Sequence, residues 1–440
     1  MTKSSRSVRI KKAAHGVSGD LSFPGDKSLS HRAIIFGSLA EGSSSFTNLL
    51  DGEDCVCTRE AFKSLGVEMR SASSTEIEIV GRGLHALKAP TKEINLGNSG
   101  TSMRLLLGVL AGNPFRATLT GDPSLSSRPM RRVTDYLRQM GATFEGRDGA
   151  NFAPITVRGG ALTAIEAALP VASAQVKSAI LLAGLYAKGT TSVTEPVLSR
   201  DHTENFLTYF GGWLRREGLK VSVEGGQSLK SRRFEIPGDV SGAAFFMALA
   251  ALLPGPGIHF YKVLWNPTRT GIVKVLERMG ARVEVEKLHH DGPELAADFV
   301  VRSGPLKSFE ILKEELPSLI DEIPVLCVLA TQAEGTSVIR DASELRVKET
   351  DRIHSMTTAL GRMGADIRVE QDTLTIKGKT ALVGAAVNSF KDHRTAMSMV
   401  VAGLVADGQT VVEDLDCVDT SFPGFFNLLR SLKIEPQFFK

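Results

Sequence analysis

The stretch LGRMGADIRVEQDTLTIKG, residues 360–378, reads as the end of a helix, a glycine turn and two strands. Gly364 suits the left-handed position that closes a helix, because glycine carries no Cβ to clash there. The alternation in IRVEQ and the β-rich run after it suit half-buried strands. The same order returns in FKSLGVEMRS with EIEIVGRG, YLRQMGATFEG with ITVRGG, WLRREGLKVSVEGG with FEIPG, and LERMGARVEVEK with FVVRSG. These copies put their turn glycines at Gly66, Gly141, Gly218 and Gly280. A truncated sixth copy, LLRSLKIEPQF, closes the chain. Self-similarity on this scale decides the architecture before any single residue does.

A second segment alternates with the first: a polar turn, an apolar helix, a glycine and a strand. Its six copies begin PGDKSLSHRAII, LGNSGTSMRLLL, LPVASAQVKSAI, IPGDVSGAAFFM, LIDEIPVLCVLA and SFKDHRTAMSMV. Helices apolar nearly all round predict burial. The truncated last copy lacks its final strand, which the N-terminal SVRIKKAAHGVSGDLSF is placed to supply. The expected organisation is therefore a first domain over 23–236 with three repeats. A second domain of three repeats is expected over 1–22 and 237–440, with crossings just before two PGD turns and an active site in the cleft between the domains.

Composition narrows the chemistry. A chain of 440 residues with 42% hydrophobic and 23% charged residues is that of an ordinary globular protein and makes about two domains. The net charge of +3, from 52 basic and 49 acidic residues, gives no global field for nucleic acid, so an anion site must be local. Cys55, Cys57, Cys327 and Cys417 lack the paired spacing of a zinc site and read as reduced, with no metal expected. MTKSSRSVRIKK has no apolar stretch of a secretory signal, and the apolar helices fall short of the roughly 20 residues of a membrane span. A cytoplasmic protein without membrane partners is expected.

The unusual polar residues gather at the starts of the buried helices, where exposed N–H groups and the helix dipole favour anions. Lys27, Ser28 and Arg32 open the first, with Ser28 and Arg32 one turn apart on roughly one face. Asn98, Gly100, Thr101 and Arg104 open the second, followed by Arg128 before Pro129. Ser173, Gln175 and Lys177 open the third, and Ser199, Arg200, His202 and Glu204 come shortly after. Asp321 and Glu322 precede the fifth; Arg346, Lys348, Glu349, Asp351 and Arg352 cluster next; Asp392, His393 and Arg394 open the sixth. His202 reads as a hydrogen-bonding residue of the fold. Cations from both halves, with two or three carboxylates for proton transfer, point to a transferase or lyase acting on phosphorylated, carboxylated small molecules. A ring clamp or other nucleic-acid-binding repeat protein is the contrasting reading, and it would spread positive charge over a surface instead.

PGDKSLSHR, LGNSGTSMR, SRPM, SAQVKSA, RVKETDR and DHRTAM, in this order, resemble the motif series of the 5-enolpyruvylshikimate-3-phosphate synthase family, one of the enolpyruvyl transferases. The resemblance runs from about residue 20 to TSFPGFF near the end. It implies a two-domain inside-out α/β barrel of six βαβαββ repeats, three per domain, closing on substrate. It implies transfer of the enolpyruvyl group of phosphoenolpyruvate to the 5-hydroxyl of shikimate 3-phosphate, without a cofactor and as a monomer. By this similarity Lys27, Ser28, Arg32, Ser173, Ala174, Gln175, Arg200, Asp321 and Lys348 hold shikimate 3-phosphate. Lys27, Gly100, Arg128, Gln175, Arg352 and Arg394 hold phosphoenolpyruvate. Asp321 takes the hydroxyl proton, with Glu349 and Lys27 as proton-transfer partners.

Three positions depart from the pattern. Leu105 replaces a proline common after the MR pair, Ala174 replaces a second serine of one branch, and Thr420 stands where some members have a lysine that contacts phosphoenolpyruvate. GDKS, SAQVK, RDHTE and NPTR (266–269) resemble the class II branch, which implies tolerance of glyphosate. The related transferases that act on UDP-N-acetylglucosamine carry a loop cysteine, and GNPFRATLTGDPSLSSRPM (112–130) has none.

Overall fold

The computed structural model describes residues 6–439. Six four-stranded sheets share one plan: an outer strand parallel to a second, which pairs antiparallel with a third, which pairs antiparallel with an edge strand. Two compact units divide them. One takes in Gly25–Ile236 together with His290–Glu294; the other takes in Pro237–His289, Leu295 onward and the beginning of the chain up to Pro24.

In the first unit the central strand pairs are Glu41–Thr47 with Ile77–Arg82, Arg116–Thr120 with Phe152–Arg158, and Thr190–Thr194 with Lys220–Glu224. In the second they are Gly257–Leu264 with Ala296–Arg302, Thr336–Ile339 with Thr373–Lys377, and Gln409–Glu413 with Ser7–Lys11. The N-terminal strand Ser7–Lys11 thus takes the place of the final strand that the truncated copy lacks, with Gln437–Phe439 at its edge. A second N-terminal strand, Ser18–Ser22, pairs parallel with Gly257–Leu264 in a different sheet.

The six apolar segments are the helices Lys27–Leu39, Gly100–Ala111, Ala174–Gly184, Val240–Leu252, Ile323–Gln332 and His393–Val405. They are buried on nearly every side, so their stability rests on packing rather than on an amphipathic stripe. Their polar openings are caps: Asp26, Ser99, Ser173, Asp239 and Asp392 each accept a backbone N–H from the first turn. Ile323–Gln332 instead has Pro324 in its first turn, where the missing N–H costs nothing.

One repeat departs from its reading. Gly66, Gly141, Gly280 and Gly364 all follow a helix with positive φ, but Gly218 turns between the strands Leu214–Glu217 and Lys220–Glu224. The helix His202–Tyr209 ends earlier, where Gly211 takes φ +85. LRRE, Leu214–Glu217, is therefore a strand, and two glycines in GGW close that helix before the pattern shared by the other copies is reached. The strand of FEIPG, Arg233–Glu235, joins Glu41–Thr47 in the sheet of the first repeat.

Candidate active site

In the unit built around Gly25–Ile236, Lys27 follows the capping Asp26 and pairs through Nζ with Asp54. Arg32 lies one turn further and is buried; its guanidinium donates to Thr203 Oγ1 at 2.8 Å, Ser178 Oγ at 2.9 Å and the Ser28 carbonyl at 3.0 Å. All three acceptors are uncharged. Burial pulls the Arg32 pKa down to about 10, against the opposing fields of Glu204, Asp26 and Glu294, and Arg200 adds to the fall. Two guanidinium groups within electrostatic reach of each other, one of them dehydrated, make a place that gains by taking an anion.

The other two helix starts of this unit are joined by side chains. Arg104 donates to Gln175 Oε1 at 2.5 Å, and Gln175 Nε2 donates to Thr101 Oγ1 at 2.8 Å. Arg128 donates to Asn98 Oδ1 at 2.5 Å and to Ser124 Oγ at 3.2 Å. A Cβ on Gly100 would lie 3.1 Å from Arg104 Nη1 and 3.3 Å from Arg128 Nη1. Both guanidinium groups therefore stand over bare backbone at a helix start, which is the arrangement an anion needs. Ser173 caps the helix that Ala174 opens, accepting from the Val176 N–H at 3.4 Å.

Beneath these groups lies a buried charge network. Lys177 is fully enclosed and pairs with Glu195 at 2.6 Å and Glu204 at 2.8 Å. It is a structural cation here, out of reach of a ligand. Burial raises the Glu204 pKa, with Lys177 opposing. His202 Nδ1 is 2.7 Å from Glu294 Oε1, which also accepts from Asn205 at 3.2 Å, and Arg216 is 3.2 Å from Asp201. Asp201, His202 and Glu294 bring ligand atoms within 4.8 Å of one another, but these bonds tie them to each other and to Asn205 and Arg216.

The second unit gathers carboxylates around its cations. Arg352, 1% exposed, donates through Nε to Asp392 at 2.8 Å, through Nη1 to Asp321 at 3.1 Å and through Nη2 to Glu349 at 2.6 Å. Burial alone would lower its pKa, yet Asp392, Glu349 and Asp321 outweigh burial and raise it. Lys348 lies 3.5 Å from Asp321. Arg394 donates to the Asp321 carbonyl at 3.0 Å and comes within 4.0 Å of its carboxylate. Asp321, Lys348, Glu349, Arg352 and Arg394 thus form one cluster, with Asp321 at its centre.

Several partners carried no distinct signal in the sequence. Asp54, Glu195 and Glu294 lie far along the chain from the groups they hold, and nothing local marks them. Arg346 belongs to the surface, bonded to Asp351 at 2.9 Å and Asp372 at 2.7 Å. Thr420 donates to the Cys417 carbonyl at 2.7 Å within its own helical turn.

Comparison with known proteins decides the family. The model of EPSP synthase (3-phosphoshikimate 1-carboxyvinyltransferase) matches residues 11–429. The chain belongs to the EPSP synthase family. Its activity is that of a 3-phosphoshikimate 1-carboxyvinyltransferase. A protein of that name from Bacillus cereus is 48% identical over 423 residues, covering 96% of this chain and 98% of the relative. One from Bacillus anthracis matches to the same extent. The structure of EPSP synthase from Acinetobacter baumannii superposes with a TM-score of 0.90 at 42% identity, over 99% of this chain and 100% of that one. The EPSP synthase match takes in all six helix starts, so both clusters fall inside it. The nucleotide-sugar and nucleic-acid-binding readings are not favoured. Among the described residues no helix is long and apolar enough to cross a membrane.

Proposed function

We propose that the two clusters divide the work of the transfer. Lys27, Ser28, Arg32, Ser173, the Ala174 backbone, Gln175 and Arg200 hold shikimate 3-phosphate, with Asp321 and Lys348 on its ring hydroxyls. Lys27, the Gly100 backbone, Arg128, Gln175, Arg352 and Arg394 hold phosphoenolpyruvate. The observation that carries this reading is the contrast in partners: Arg32 is bonded to uncharged oxygens, whereas Asp321 sits among Arg352, Lys348 and Arg394.

Asp321 takes the proton of the 5-hydroxyl as its oxygen attacks C2 of phosphoenolpyruvate. C3 gains a proton from Lys27 or Glu349, giving a tetrahedral ketal phosphate. Phosphate then leaves C2 while C3 gives up a proton, and the enol ether is restored. No covalent bond to the enzyme is needed. Holding two anionic substrates against each other's charge is the main demand, and proximity of this kind supplies roughly 7–11 kcal/mol of the barrier. General acid–base help adds about two to four powers of ten in rate.

We read the protein as a cytoplasmic monomer. The four thiols are unbridged, which fits a reducing compartment. Size-exclusion chromatography with light scattering checks the monomer against the 47.2 kDa chain mass.

The deciding experiment follows phosphate release from phosphoenolpyruvate with shikimate 3-phosphate, beside a parallel reaction with UDP-N-acetylglucosamine. Release with shikimate 3-phosphate alone is expected. Release with the nucleotide sugar alone would overturn the acceptor.

A further inference from the structure

Glu322 neighbours the proposed base yet takes no part in the chemistry above, and its surroundings are unusual. Its side chain is fully buried. One oxygen, Oε1, accepts a short bond from Ser241 Oγ, and the other, Oε2, has no hydrogen-bond partner among the described residues. Asp392, buried in the same unit, shows what a stabilising carboxylate looks like. Its Oδ1 takes the N–H groups of Arg394 and Thr395 at 2.7 and 3.2 Å, and its Oδ2 takes Arg352 Nε at 2.8 Å. A half-satisfied buried carboxylate lowers stability rather than raising it, so Glu322 calls for another reason to be there.

That reason lies 3.6 Å from Oε1, at Nη1 of Arg394. Ser241 Oγ, the donor to Glu322, itself accepts from Arg269 Nη2 at 2.7 Å, and Arg269 is 3.6 Å from Asp239. The NPTR turn singled out in the sequence thus delivers a buried arginine to the back of Ser241. Ser241 lies in the first turn of Val240–Leu252, Glu322 immediately precedes Ile323–Gln332, and Arg394 lies in the first turn of His393–Val405. The three repeats of the unit are therefore linked, start to start, by one run of polar contacts that ends on Arg394. Ser241, Glu322 and Arg394 each stand at a helix start, which places their backbones side by side.

We infer that Glu322, held by Ser241 and Arg269, is the positioning residue that sets the Arg394 guanidinium for the carboxylate of phosphoenolpyruvate. The inference rests on the proposed role of Arg394. Glu322 touches no reacting atom; its carboxyl group aims a long, flexible cation whose other acceptors among the described residues are the Asp321 carbonyl and the Asp321 carboxylate at 4.0 Å. The Ser241 bond keeps Oε1 towards Arg394 rather than letting the carboxyl group turn away.

The test is a kinetic double-mutant cycle on the full-length enzyme with Glu322→Gln, Arg394→Lys and the pair together, and Ser241→Ala beside them. Glu322→Gln keeps the shape and removes the charge. Its KM for phosphoenolpyruvate is expected to rise about tenfold, the size of one charge-assisted contact, with KM for shikimate 3-phosphate changed less than about twofold. Ser241→Ala shifts the same constant in the same direction by less, and it keeps the test open should Glu322→Gln fail to fold. In the double variant the two effects fall short of additive. A phosphoenolpyruvate KM unchanged in Glu322→Gln and in Ser241→Ala, but raised in Arg394→Lys, would overturn the inference and leave the role of Arg394 standing. An unchanged value in Arg394→Lys would remove both. Equal rises for both substrates would mark Glu322 as a residue of general packing and overturn the inference as well.

Discussion

The cations of the two units keep different company. In the unit built around Gly25–Ile236, the buried Arg32 donates to hydroxyl and carbonyl oxygens, while Lys27 pairs with Asp54 and the enclosed Lys177 with Glu195 and Glu204. In the other unit, Arg352 is enclosed by three carboxylates, and Lys348 and Arg394 lean on one of them. A cation held by neutral dipoles keeps most of its field for an incoming anion. A carboxylate surrounded by cations is held in a fixed orientation by them. On the proposed assignment, the first cluster mainly binds while the second supplies the base, a difference of partner chemistry rather than of fold, since both units repeat the same plan of sheets.

The sharpest way to break that contrast is Asp321→Asn. The amide keeps an acceptor for Arg352 and removes the base, so turnover is expected to fall at least about a hundredfold in a phosphate-release assay. Near-normal turnover would take Asp321 out of the proton-transfer role. Lys177→Met probes the layer beneath the binding cluster. It leaves Glu195 and Glu204 buried without their shared cation, and a loss of stability of about 3–5 kcal/mol is expected in urea unfolding. A loss within about 0.5 kcal/mol would mean that water or protonation compensates there.

A pH experiment separates the core of the binding unit from its surface. Burial pulls His31 down to about 3, with Nδ1 2.7 Å from Thr58 Oγ1 and Nε2 lacking a partner among the described residues. The native state therefore binds fewer protons than the unfolded chain between pH 6.5 and 3. Stability from this group is fully present above the unfolded value and is lost as pH falls through that window, by up to about 1.4 kcal/mol per unit. His31→Asn is expected to flatten the slope of unfolding free energy against pH over that range, and an unaltered slope would refute the assignment. The smallest effect is expected at Gly100. An alanine Cβ presses on Arg104 and Arg128, whose flexible ends give way by a few tenths of an ångström. KM for phosphoenolpyruvate should rise less than about tenfold, with shikimate 3-phosphate little affected.

The repeat was legible in the sequence because helix-closing glycines and alternating strands are local patterns, and five copies reinforced one another. The copy at WLRREG misled for the same reason: its helix had already closed at Gly211, and only tertiary pairing shows that Leu214–Glu217 is an edge strand. The cations proposed for the site stood out in the sequence because several of them sit at helix starts, where composition is unusual. Their partners were not. Glu294 reaches His202 across 92 positions of sequence, and Arg269 reaches Ser241 across 28, with no periodicity to announce either contact. Lys177 shows the limit from the other side, since it stands in the same helix start as Gln175 but points into the core.

The most direct test of the division of labour is calorimetric binding of shikimate 3-phosphate to Asp321→Asn and to Arg32→Lys, measured side by side. Asp321→Asn removes a negative charge from a cation-rich cluster and should bind the phosphorylated substrate about as well as the unaltered enzyme. Arg32→Lys loses the planar fork among Thr203, Ser178 and Ser28, and affinity should fall by about tenfold or more. Equal loss in both variants, or loss confined to Asp321→Asn, would contradict the account.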